Sequence, residues 1–208
     1  MKGLKQMDNL ATSTLTNHFF YDKKLGDQGE EWVKAFLLDT RGIEVYKCDT
    51  PAFRSVDVDF TTDFELSKSN DVEQIRNTKH SLIEVKTDKS KCLNQCLEVI
   101  SNLNTNSPGW AIVTEADYIF SVFPNLNRCY VYDAPALKAY AESIKDDDSV
   151  KSLITNTYGT GSDKKLWYKS LIKLVSRNKL KELGILIREY RLDDYKLMYK
   201  AAENGKVN

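Results

Sequence analysis

Cysteine and histidine are scarce in this chain, and charge of one sign does not dominate it: 208 residues contain four cysteines, two histidines and 30 basic against 30 acidic side chains. Cys48, Cys92, Cys96 and Cys129 are too few and too irregularly spaced for a disulfide framework, so reduced thiols are expected. Cys92 and Cys96 stand one helical turn apart, but no second pair exists and His18 and His80 are distant, which argues against structural zinc. No apolar run is long enough to cross a bilayer, so no membrane partner is expected. The opening "MKGLKQMDNLATSTLTNHFF" has lysines without an apolar stretch and cleavage site behind them, which makes the cytoplasm of a bacterium or phage-infected cell the default expectation. Internal repeats and low-complexity tracts are missing too.

What is there fits a globular protein with one sizeable core and room for an appendage, with 41% hydrophobic and 29% charged residues. Zero net charge argues neither for nor against nucleic acid, but its distribution is uneven. "KKLWYKSLIKLVSRNKLK", from Lys164 to Lys181, has basic residues and no acidic one, with Trp167 and Tyr168 between them. It reads either as a solvated face or as a contact for nucleic acid through Lys164, Lys165, Lys169 and Lys173. Tyr158 and the "GTG" loop belong to the same reading.

Periodicity predicts the elements. Trp32, Val33, Phe36 and Leu37 have helical spacing, giving a helix from about Asp27 to Asp39 that Gly42 ends. Ile43, Val45 and Lys47 alternate as a short strand. "FRSVDVDFTTDF" alternates as a second, with Val56, Val58 and Phe60 on one face and Asp57 and Asp59 on the other. Residues 65 to 80 read as an exposed polar connection with one helical turn, and "SLIEVKT" as a third strand. "KCLNQCLEVISNL" brings Leu93, Cys96, Leu97 and Ile100 into helical register. "WAIV", "YIFSVF" and "CYVYD" read as strands, whose aromatics suit sheet packing better than base stacking, and "APALKAYAESIK" as a helix with Pro135 in its first turn. "LWYKSLIKLV" fits strand or helix, and "RLDDYKLMYKAAENG" reads as a terminal helix. The sum is a mixed α/β fold.

Within "SLIEVKT", Glu84 and Lys86 share one face while Ile83 and Val85 enter the core. Alone, such a pair is usually a solvated strand face. If the strand of Asp57 and Asp59 pairs with it, three carboxylates and an ammonium meet, and crowded carboxylates call for neutralisation by an oxygen-preferring divalent cation such as Mg2+.

The order of Gly26 to Glu30 in "GDQGE" on a helix, a strand, "VDVDF", a polar insertion and "IEVKT" resembles the PD-(D/E)XK nuclease superfamily. The opening helix is similar to that of Holliday-junction resolvases, and "LNQCLEVISN" through "GWAIVTEADYIFSVF" to a group of phage and mobile-element proteins. The resemblance covers about Leu25 to Asp133 and lacks a proline directly before either aspartate. It implies a restriction-endonuclease-like mixed sheet flanked by helices in a core over 25–148, which leaves an N-terminal arm (1–24) and a C-terminal basic, helical extension packed on the core (149–208). It implies Asp59 or Asp57 as the principal ligand of Mg2+, with Mn2+ as substitute. Glu84 and the carbonyl of Val85 would be further ligands, Lys86 would position or deprotonate the attacking water, and Glu30 would hold a water or a second ion. Thr87, Lys89 and Asn94 would contact nucleic acid, with Glu98 on the face of Asn94. The expected function is hydrolysis of phosphodiester bonds in DNA by a phage or mobile-element endonuclease or junction-resolving enzyme, with homodimerisation as in resolvases. A non-cleaving nucleic-acid-binding or protein-inhibiting member of the fold is the alternative.

Overall fold

A computed structural model describes residues 15–158 and 166–192. The expected opening helix is longer than its apolar spacing suggested: α1 runs Leu15–Arg41 and buries Trp32, Val33, Phe36 and Leu37. It ends where Gly42 adopts φ +64°, a conformation that a side chain would strain. There the N–H groups of Gly42 and Ile43 donate to the carbonyls of Leu38 and Leu37 at 2.9 and 3.1 Å.

The next segment differs from its alternating pattern. Only Tyr46–Lys47 (β1) and Phe60–Thr61 (β2) are strands, and Pro51–Ser55 forms a short helix, α2, with Pro51 in its first turn. Val56, Val58 and Phe60 are buried as their alternation requires, but on a turn that leads into a two-residue strand. Residues 65 to 80 contain a 3-10 turn and α3 (Val72–Arg76), capped by Asp71, whose carboxylate accepts the N–H groups of Glu73 and Gln74. Leu66 and Ile75 anchor this connection in the core.

The third strand, β3, is Leu82–Thr87. The helix expected over "KCLNQCLEVISNL" is instead β4, Asn94–Asn102. Gln95, Leu97 and Val99 are buried at a period of two, and Gln95 accepts the Tyr132 hydroxyl at 2.9 Å, so the helical register of Leu93 and Ile100 was coincidental. Leu93 is exposed. After β5 (Ser107–Pro108), "WAIV" is a helical turn, α4 (Trp110–Val113), whose Ile112 and Val113 N–H groups donate to the Gly109 carbonyl. A run of four apolar residues cannot by itself separate strand from buried helix. β6 (Tyr118–Phe123), β7 (Arg128–Asp133) and α5 (Ala134–Ile144) lie where expected, with Asp133 accepting the Ala136 N–H.

The C-terminal region is chiefly β rather than helical: β8 (Ser152–Tyr158), β9 (Leu166–Ser176), the short α6 (Arg177–Glu182) and β10 (Leu186–Arg191). Of the terminal helix expected over residues 191–205, Arg191 instead ends β10, and the rest from residue 193 onward lies outside the described residues, as do most of the N-terminal arm, the "GTG" loop, Lys164 and Lys165.

Six strands form a mixed sheet in the order β1-β2-β3-β6-β7-β10, with β3 and β6 parallel and the other pairs antiparallel. Four form an antiparallel sheet, β5-β4-β9-β8. One face of the mixed sheet packs Phe60, Ile83, Val85, Phe120 and Val131 against α1. Its other face meets the second sheet, α4 and α5 through Leu82, Ile119, Tyr132, Leu97, Val99 and Leu137. The architecture is mixed α/β: a mixed sheet and an antiparallel sheet, flanked by helices.

Candidate active site

Strand β3 divides its side chains between the two cores. Ile83 and Val85 join the α1 side, and Leu82 joins the other. Glu84 and Lys86 alternate with them and so face the second sheet, which leaves a carboxylate only 2% exposed inside the protein. The residue just before β2 is the neighbouring acid. Pairing of Phe60 with Ile83 brings Asp59 beside β3, where its carboxylate accepts the Val85 N–H at 2.8 Å and its own N–H donates to the Ile83 carbonyl at 2.9 Å.

Asp57 reaches the same place by a different route. It occupies a left-handed conformation, φ 50°, unusual for a residue with a side chain and tolerated best by Asp and Asn. The turn is pinned from the α4–β6 link: the Thr114 hydroxyl donates to the Asp57 carbonyl at 3.1 Å and the Glu115 N–H to that of Val56 at 2.9 Å.

The Lys86 ammonium joins these acids. It lies 2.8 Å from Asp57 Oδ2, is hydrogen-bonded to Glu84 Oε1, and sits 5.3 Å from the centre of the Trp110 ring. Burial opposes the lysine charge, but Glu84 and Asp57 outweigh it and hold its pKa above the ordinary value. Burial pushes Glu84 well above the usual carboxylate range; Lys86 counters this, while Asp57 and Asp59 add to it. Asp59 is pushed up to about 6, first by burial, against the Val85 hydrogen bond. Glu98 of β4 approaches from the second sheet, bonded to the Ser170 hydroxyl and the Trp110 N–H, and burial raises it as well.

A cavity of about 270 Å3 opens beside this cluster, lined by Glu30, Lys47, Arg54, Asp57, Asp59 and Glu84 among others. Glu30 reaches it from α1 and pairs with Lys47 of β1. Cys48 is also at the cavity, but burial, with Asp59 and Asp49, pushes its thiol up to about 12, which removes it as a nucleophile. Lys47 and Arg54 at the cavity, and Trp110 beneath Lys86, were not singled out for the site from sequence. The cations come from a short strand and from a helix hidden in an alternating pattern, and Trp110 lies in an apolar run whose pattern suits sheet packing.

Do the donors fit a divalent cation? Glu84 Oε2 is buried without a hydrogen-bond partner, and burial raises both Glu84 and the adjacent Asp59, so oxygen donors with unmet demand face one space. Against this, no group of three or more His, Cys, Asp or Glu side chains among the described residues is drawn into a ready-made metal cage. The acids therefore fit an oxygen-preferring ion by type and by unmet valence. Lys86 presently supplies their countercharge.

The remaining candidates are scattered. Thr87 faces α1, where a Cβ on Gly29 would overlap its hydroxyl, so it does not share the face of Lys86. Lys89 is exposed just past β3, and its carbonyl accepts the Asn125 amide at 2.5 Å. Asn94 is half-buried on the face of β4 that carries Glu98, since a spacing of four preserves the face on a strand too. Lys169 is exposed on β9, whereas Lys173 is buried with its ammonium donating to the Asp147 carbonyl at 2.8 Å and presents no charge to a partner.

Compared with protein-family models, curated proteins and solved structures, the chain matches none. No described helix is long and apolar enough to cross a membrane.

Proposed function

We propose that the protein is a metal-dependent nuclease with a restriction-endonuclease-like core that hydrolyses phosphodiester bonds in DNA, an endonuclease or junction-resolving enzyme of a phage or mobile element. The observation that carries this reading is the convergence of Asp57 and Asp59, from the turn that leads into β2, and Glu84, from the paired strand β3, with Lys86 beside one open cavity. Asp59, Asp57, Glu84 and the Val85 carbonyl would hold Mg2+ or Mn2+, which supplies Lewis acidity toward a phosphoryl oxygen.

The chain's own groups have separable tasks. Lys86, held protonated by two carboxylates, serves as a donor toward negative charge developing on phosphate rather than as a proton acceptor. Trp110 beneath it limits where the ammonium can go. Glu30 faces the cavity from α1, and its pairing with Lys47 fits a role in ordering water or substrate at the rim. Lys47 and Arg54 offer positive charge to a backbone phosphate at the same opening.

The test is cleavage of plasmid, single-stranded, four-way junction and RNA substrates by purified protein with Mg2+ or Mn2+, against chelator. Cleavage of DNA that needs the metal and falls by about 100-fold or more in Lys86→Ala and Asp59→Ala is expected. Wild-type protein that binds but never cuts would refute it. A second reading has its own support: Lys86 already offsets Asp57 and Glu84, and no metal cage is ready-made among the described residues, as suits a non-cleaving nucleic-acid-binding or protein-inhibiting member of this fold. In that case the same variants bind with unchanged salt dependence.

A further inference from the structure

Strand edges present unpaired backbone groups, and proteins normally guard them with charge, proline or brevity. Three of the four sheet edges among the described residues follow this rule. β1 is two residues long and carries Lys47, β5 is two residues long and contains Pro108, and β10 carries Arg188, Glu189 and Arg191. β8 does not. It is the outermost strand of the antiparallel sheet, its seven residues "SLITNTY" include no charge, proline or glycine, and residues 152 to 156 are all exposed. Leu153 is 44% exposed and Ile154 61%, and on the adjoining β9 Trp167 is 56% exposed.

We infer that β8 is a self-association edge, at which two copies of this chain pair antiparallel and join their four-stranded sheets into one of eight strands. The argument is complementarity. An uncharged strand meets its own copy without like-charge opposition, whereas the charged β10 edge would place arginines near arginines or need exact register. Antiparallel pairing about a two-fold axis at Thr155 sets Ile154 against Asn156 and Leu153 against Thr157 of the second copy, so each exposed apolar side chain gains a neutral neighbour. Backbone bonds along one strand make a modest interface, extended by the apolar side chains beside it, so the association is expected to be concentration-dependent. Nothing in this inference requires the nuclease reading.

The test is sedimentation of the full chain over low to several hundred micromolar protein, with wild type, Thr155→Lys and Thr155→Glu. Thr155 is exposed, and circular dichroism checks that the variants keep their fold. Wild type is expected to dimerise, and each variant alone to weaken association at least tenfold, because it places like charges opposite each other. An equimolar mixture of the two is expected to restore the dimer, as Lys then faces Glu. A wild type monomeric throughout would overturn the inference, as would variants that dimerise unimpaired or a mixture that does not recover. Monomers in which Thr155→Glu weakens only nucleic-acid binding would assign this ribbon to a nucleic-acid groove and sink self-pairing.

Discussion

Single residues at this site have been placed against their own preference. Asp59 is held by burial near a pKa of about 6 instead of 3.8, so the folded chain binds its proton more tightly than the unfolded chain does. The stability linked to that proton is complete below about pH 4 and is lost as pH rises through about 6. At neutral pH the cost is at most about 3 kcal/mol, since one pKa unit corresponds to about 1.4 kcal/mol. Asp59→Asn removes this cost, so denaturant titration at neutral pH is expected to find it more stable than wild type and to find a flatter dependence between about pH 4 and 6. Under the nuclease proposal, Mg2+ raises the wild-type melting temperature and leaves that of Asp59→Asn nearly unchanged. Asp57 makes the complementary case. Asn tolerates its left-handed turn, so Asp57→Asn is expected to keep the fold and a stability within about 1 kcal/mol of wild type while losing cleavage, read by melting and nuclease assay together.

At the scale of elements, the approach of α1 to β3 sets the position of both Glu30 and Lys86. Gly29 makes that approach possible, because any side chain there would meet the Thr87 hydroxyl. Gly29→Ala is expected to lower stability by about 1 to 3 kcal/mol in urea titration, despite the better helix propensity of alanine, because α1 and β3 must separate. On β4, Leu97 is fully buried between the sheets. Leu97→Ala is expected to cost about 2 to 5 kcal/mol, while Leu93→Ala, at an exposed position, stays within about 0.5 kcal/mol. A helix would have buried Leu93 beside Leu97, so this contrast tests strand against helix directly.

For the molecule as a whole, the last described strands are built into both sheets. β9 pairs with β4 along most of its length, β10 pairs with β7 at the edge of the mixed sheet, and Arg177 packs its guanidinium 4.0 Å from the Phe123 ring centre. Residues 25–148 alone would expose β4, β7 and the Val175 and Leu180 side of the core. That fragment is expected to show no cooperative thermal transition, whereas residues 15–192 melt in one step, as calorimetry of both would show.

What local chemistry could determine was legible in the chain. α1, β3, β6, β7 and α5 each combine one clear period with a stop signal or cap, and the spacing of Glu84 and Lys86 put them on one face whatever lay around them. The "EVISN" segment, "WAIV" and the turn holding Asp57 and Asp59 were not legible, because their form depends on contacts made outside each segment: Leu171 to Ser176 for β4, the Val99 carbonyl that fixes Gly109 at the start of α4, Thr114 and Val85 for the aspartates. Alternation and helical spacing overlap over short runs, so only pairing energy chooses between them. The convergence of the acids on one cavity, the burial that shifts them and the removal of Lys173 from the surface were likewise decided in three dimensions, since depth in a fold is a property of the neighbours a residue acquires and not of the residue itself.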